Sequence, residues 1–153
     1  MAILLSEDEE IKTSIELIVL PSSSWLPYKL VLTSGNQKLV FAKDSDKGTG
    51  DYVFATTPVD ELKVMIERIE SFLKDIDGDG DSDKKLFSFE PAEPSFELII
   101  EKTYKGYSVT CWVDSGNVIS DHYSWDAFGV RFFTTKEKIK LFIDKLKCQD
   151  EVT

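Results

Sequence analysis

Thr57-Pro58-Val59-Asp60-Glu61-Leu62-Lys63-Val64-Met65-Ile66-Glu67-Arg68-Ile69 opens a segment whose apolar residues, Leu62, Met65, Ile66, Ile69, Phe72 and Leu73, fall on one face at helical spacing. Thr57 suits a helix cap, Pro58 fits a first turn, and Asp60 sits where a capping box places its acid. The same pattern returns at Thr134-Thr135-Lys136-Glu137, with Ile139, Phe142, Ile143 and Leu146 as the stripe. The spacing is constant: Thr57 to Thr134, Asp60 to Glu137 and Leu62 to Ile139 are each 77 residues apart, and Val53 falls on Val130. The two helices therefore read as copies of one element, with Thr134 and Glu137 as a capping pair in the second.

The strands ahead of the helices repeat at a slightly larger spacing. Ile15-Glu16-Leu17-Ile18 resembles Phe96-Glu97-Leu98-Ile99, and Ser34-Gly35-Asn36 recurs as Ser115-Gly116-Asn117, both 81 residues on (Ile15 to Phe96, Ser34 to Ser115). Leu30 and Leu32 precede the first Ser-Gly-Asn; Val109, Cys111 and Val113 precede the second. Each unit reads strand, strand, turn, strand, short strand, helix. Short turns in place of crossover helices predict antiparallel pairing. The expected fold is α+β: two diverged repeats in a single domain, with a largely antiparallel sheet and both amphipathic helices on one face. Repeat one spans 11–74, an acidic linker 75–85, and repeat two 86–148.

Charge narrows the function. Asp and Glu number 28 against 18 Lys and Arg, a formal net charge of -10. Nucleic acid and anionic membrane surfaces draw on basic contacts, which the acidic excess of this chain disfavours, so a basic protein or a cation fits the sign better. No apolar run approaches the roughly 20 residues of a membrane helix. Met1 to Leu5 has no basic flank and runs into Ser6-Glu7-Asp8-Glu9-Glu10, unlike a signal peptide. Two cysteines, Cys111 and Cys148, are too few for a disulfide scaffold and read as reduced thiols of a cytoplasmic protein.

The strongest local chemical signal is Asp75-Ile76-Asp77-Gly78-Asp79-Gly80-Asp81-Ser82-Asp83. Asp at positions one, three and five, Gly at six and Asp at nine is how a calcium loop begins, because a hard cation takes several oxygens and the glycine permits the turn that gathers them. Asp75, Asp77, Asp79, Asp81 and Asp83 are the candidate ligands, the Asp81 carbonyl the seventh-position one. Position twelve is Leu86 where a bidentate Glu belongs, and the residues after it read as a strand; Glu90 is a possible distant ligand. A solvated acidic linker is the competing reading.

No catalytic set emerges. The one histidine, His122, has Ser120, Asp121, Ser124 and Asp126 close in sequence, whereas a triad draws on distant segments. There is no nucleophile elbow, zinc pattern or phosphate loop. Two aromatic segments, Ser24-Trp25-Leu26-Pro27-Tyr28 and Tyr123-Ser124-Trp125-Asp126-Ala127-Phe128, suit a protein interface, with core packing as the alternative. Trp25, Tyr123 and Trp125 are the candidate contacts.

Trp25 with its following strand, the helix from Pro58 to Leu73, and Leu86-Phe87-Ser88-Phe89-Glu90-Pro91 leading to Pro94-Ser95-Phe96-Glu97-Leu98 resemble the small bacterial WapI-type immunity proteins, with their L-x-F-x-E-P strand followed by F-E-L. The likeness covers most of the chain in order and rests on structural motifs. The acidic stretch Asp75 to Asp83 departs from that family. The resemblance implies a cytoplasmic, non-enzymatic protein that neutralises a toxin by binding it, and it carries over no functional residue. Two readings stand open: a protein-binding module directed at a basic toxin, and a domain whose stability calcium tunes.

Overall fold

The computed structural model describes residues 2–8, 10–19, 28–42, 58–78, 85–90, 96–114 and 127–152. Strands β1 (Ala2–Leu5), β2 (Thr13–Val19), β3 (Tyr28–Ser34) and β4 (Gln37–Ala42) form one antiparallel sheet in sequential order. Helix α1 (Pro58–Gly78) follows. Strands β5 (Lys85–Phe89), β6 (Phe96–Thr103), β7 (Gly106–Asp114) and β8 (Ala127–Thr134) form a second antiparallel sheet, again in sequential order, and α2 (Lys136–Val152) closes the chain. The fold is α+β, as its sequence predicts, with two four-stranded sheets.

The spacing of 81 residues is written into the strand register. Ile15 lies opposite Leu32 and Leu17 opposite Leu30; Phe96 lies opposite Val113 and Leu98 opposite Cys111. Each pair maps onto the other by the same shift. A one-residue slip would turn every one of these buried side chains to the solvent face, so burial fixes the register.

Loop lengths differ between the units. Gly35 and Asn36 form the tight β3–β4 turn, and Gly35 has φ 58, the left-handed conformation that a type II′ turn demands at its first central position. In the second unit the tight turn is Tyr104-Lys105, between β6 and β7. Thr57, Val53 and Ser115-Gly116-Asn117 lie outside the described residues.

Three expected boundaries shift. Unit one begins with β1, ahead of Ile11; Ala2-Ile3-Leu4-Leu5 is apolar throughout and lacks the alternation that marks a strand, although only Ala2 and Leu4 are buried. Helix α1 runs to Gly78, well into the stretch read as linker. Ile76, one turn beyond Phe72 and Leu73, is half-buried against the core and extends the apolar stripe. At the start of α2 the cap is Thr135: its hydroxyl accepts from the Lys138 N–H at 3.2 Å, and the Ile139 N–H donates to the Thr135 carbonyl at 3.1 Å. Thr134 is the last residue of β8 and is engaged elsewhere, so the Thr134–Glu137 box does not form. The strands form two separate sheets, a point that the sequence leaves open.

Each helix packs against the first strand of the other unit. Helix α1 lies closest to β5: the rings of Phe72 and Phe87 are 6.0 Å apart, the Arg68 guanidinium sits 5.5 Å over Phe87, and its Nη2 donates to the Ser88 carbonyl at 2.9 Å. Helix α2 lies closest to β1 and β2. Thr134 Oγ1 donates to the Leu5 carbonyl at 2.7 Å, Lys138 Nζ to the Ser6 carbonyl at 2.8 Å, and the Glu7 N–H to the Phe133 carbonyl at 2.7 Å. The Ser6 N–H pairs inward with Thr13, so by alternation the Leu5 carbonyl and the Glu7 N–H face away from β2. The exchange of contacts satisfies edge groups that a first strand would otherwise leave open.

All of this converges on one core. Leu62, Met65, Ile66 and Ile69 of α1 and Ile139, Phe142, Ile143 and Leu146 of α2 join the inner faces of both sheets in a single buried cluster. The helices also touch each other, and Lys147 Nζ reaches Glu70 Oε1 at 2.9 Å. Both side chains are substantially exposed, so this pair orients the helices more than it stabilises them.

Thr134 is 1% exposed. Thr134→Val keeps its shape and leaves the Leu5 carbonyl without that donor, so urea denaturation should register a loss of about 1–3 kcal/mol. Val64→Ala, on the exposed side of α1, should stay within about 0.5 kcal/mol. Equal midpoints for Thr134→Val and the unaltered protein would contradict the edge-capping role.

Candidate protein-binding face

The second sheet turns alternate residues to its two sides. Phe87, Phe89, Phe96, Leu98, Ile100, Tyr107, Val109, Cys111, Val113 and Phe132 are buried inward. The register places three rows on the outer side. One runs Glu97, Trp112, Gly129; the next Ser88, Ile99, Thr110, Arg131; the third Leu86, Glu101, Ser108, Phe133. Leu86, Trp112 and Phe133 on this face are exposed at 66%, 41% and 43%, a larger apolar presence than a solvated face of carboxylates and hydroxyls requires.

Gly129 shapes the first row. A β-carbon there would stand 2.7 Å from the Cys111 carbonyl oxygen and 2.9 Å from Cζ3 of Trp112. The first of those neighbours is backbone and cannot swing aside. The absence of a side chain lets the two strands approach and the indole lie across β8. In the next row Arg131 Nε donates to Ser108 Oγ at 3.3 Å, which draws that guanidinium along β7 away from Trp112.

At the head of the first row, Glu90 follows β5 at the place opposite Glu97 when the β5–β6 register is continued. Two carboxyl groups face each other across adjacent strands. A hydrogen bond with the Glu90 side chain, then burial, then the charge of Glu90 raise the Glu97 carboxyl above its ordinary 4.5. Behind the sheet, burial pushes the Cys111 thiol up to about 12, with the Glu97 charge adding to it, so Cys111 is an unreactive core residue. Burial, then the Glu137 charge, raises the Tyr107 hydroxyl.

The residues singled out in the sequence fall differently. Trp25, Tyr123, Trp125 and His122 lie outside the described residues, as do Asp79, Asp81 and Asp83. Asp75 is exposed on α1, and Asp77 is within the same helix. Among the described residues no group of three acidic, histidine or cysteine side chains is arranged to hold a metal. Cys148 is exposed on α2. The Trp112 row is not legible in the sequence, because Trp112 there is one outward residue of a strand. Its partner Gly129 becomes visible only through the register, although a glycine inside a strand pattern is itself a signal of close backbone approach.

The fold and this face define an α+β protein of two meander sheets joined through a shared helical core, with one sheet face rich in aromatic and acidic groups. Comparison of the chain with family models, with curated proteins and with solved structures finds no match. No helix among the described residues is long and apolar enough to cross a membrane.

The opposed carboxyls give a pH signature. Folding raises Glu97, so the folded chain keeps this proton over a range above 4.5 in which the unfolded chain has lost it. Stability therefore falls as pH rises through that range. Glu97→Gln removes the fall: relative to the unaltered protein it should gain roughly 0.2–1 kcal/mol in urea denaturation at neutral pH. The gain should vanish in acid, below the unfolded value. A variant less stable at neutral pH would contradict the pairing.

Proposed function

We propose that this chain is a non-enzymatic binding protein that captures a basic protein partner on the outer face of its second sheet. It acts in the cytoplasm as an immunity protein against a basic toxin domain. The observation that carries this reading is the uncovered face itself: exposed Trp112, Phe133 and Leu86 interleaved with Glu97 and Glu101, on a chain of net charge -10. Aromatic anchors ringed by charge are the makeup of protein interfaces, and the acidic field speeds encounter with a basic surface. The resemblance of the strand and helix motifs to WapI-type immunity proteins points to the same role.

The test pairs capture with surface variants. The tagged protein should retain a basic partner from source lysate that elutes with salt. The double variant Trp112→Ala/Phe133→Ala should lose it, while Val64→Ala/Leu141→Ala, on the exposed sides of the helices, should keep it. Capture that is indifferent to the sheet variant would overturn this face as the binding surface.

Calcium binding at the end of α1 is a second reading, favoured by one observation: no basic residue lies in the last turn of α1, where the helix carbonyls concentrate negative potential. Binding to the folded state alone would raise the melting temperature in millimolar calcium over that in chelator. Superimposable melts would remove calcium from the account.

A further inference from the structure

Three features of the first row combine at Trp112. The indole is 41% exposed, and its Cε3 and Cζ3 occupy the space that a side chain at Gly129 would take, so the ring reaches across onto β8 while part of it stays open to solvent. Glu97 is its direct cross-strand neighbour, and Glu90 stands beyond Glu97 in the same row. The chain's own guanidinium in the neighbouring row, Arg131, is drawn to Ser108.

We infer that Trp112 and Glu97 form an arginine-reading contact, in which a guanidinium of the basic partner stacks on the indole and its edge bonds the Glu97 carboxylate. This inference rests on the docking face proposed above and names the group that the face selects. A planar cation fits such a pairing better than an ammonium does. Guanidinium can stack on an aromatic plane while its N–H groups lie in that plane, free to donate to a carboxylate at the rim; a lysine meets the two groups only as a point charge. Gly129 is the positioning residue, since any side chain there displaces the indole.

The probes are blocked tetra-arginine and tetra-lysine peptides, titrated calorimetrically into the full chain at low ionic strength. Tetra-arginine should bind about fivefold more tightly than tetra-lysine, the preference expected of a partly exposed cation–π contact. Trp112→Ala should abolish the preference, and Gly129→Ala should reduce it, in proteins whose circular dichroism confirms folding. Glu97→Gln should weaken tetra-arginine binding by about tenfold, a charge-assisted hydrogen bond lost. Glu67→Gln on exposed α1 makes the same change of net charge and should alter binding by less than about twofold. Equal binding of the two peptides, with Glu97→Gln and Glu101→Gln costing the same, would overturn the arginine contact and leave a face that attracts charge without selecting it. Equal losses for Glu97→Gln and distant Glu67→Gln, with Trp112→Ala silent, would overturn the docking face as well.

Discussion

A four-stranded meander has one apolar face and two open edges, and it cannot stand in water until both needs are met. In this protein each sheet is completed by the other half of the chain. Arg68 of α1 reaches the Ser88 carbonyl on β5, and Thr134 and Lys138 reach the Leu5 and Ser6 carbonyls of β1. The apolar stripes follow the same exchange, with α1 against β5 and α2 against β1 and β2. The result is one core in place of two, which matters for units of this size. About 70 residues bury too little surface to be secure alone, and sharing a core raises the buried fraction for both.

That arrangement also decides what remains outside. Both helices are committed to inner faces, so the outer side of the second sheet is free to carry Trp112, Phe133 and Leu86 among glutamates. A solvated sheet face ordinarily alternates toward polar side chains. Here it also places Glu90 and Glu97 in opposition, a pairing that costs stability at neutral pH. Features that cost stability without serving the core are the ones that binding explains, and a basic partner relieves this one directly.

Much of the architecture was legible because burial has a period. The stripes Leu62–Leu73 and Ile139–Leu146 announced the helices, and the 81-residue spacing that relates Ile15 to Phe96 reappears in the strand register. The features that the sequence hides have no period. The all-apolar β1 shows no alternation. The extension of α1 through Asp75 to Gly78 hides behind acidic residues of poor helix propensity, overridden by the burial of Ile76. The choice of Thr135 over Thr134 as cap depends on a carbonyl 129 positions away in sequence. The Trp112 row is likewise a property of three strands brought together, and no single segment contains it.

The exchange between halves is tested most directly by separating them. The chain would be divided between Gly78 and Lys85, and each part followed by circular dichroism and urea denaturation, alone and mixed. The account predicts that neither part shows a cooperative transition alone, and that the two together recover the spectrum and single transition of the intact chain as a one-to-one complex. A cooperative, monomeric unfolding transition from either part by itself would contradict it, since that part would then close its own sheet without the other's helix.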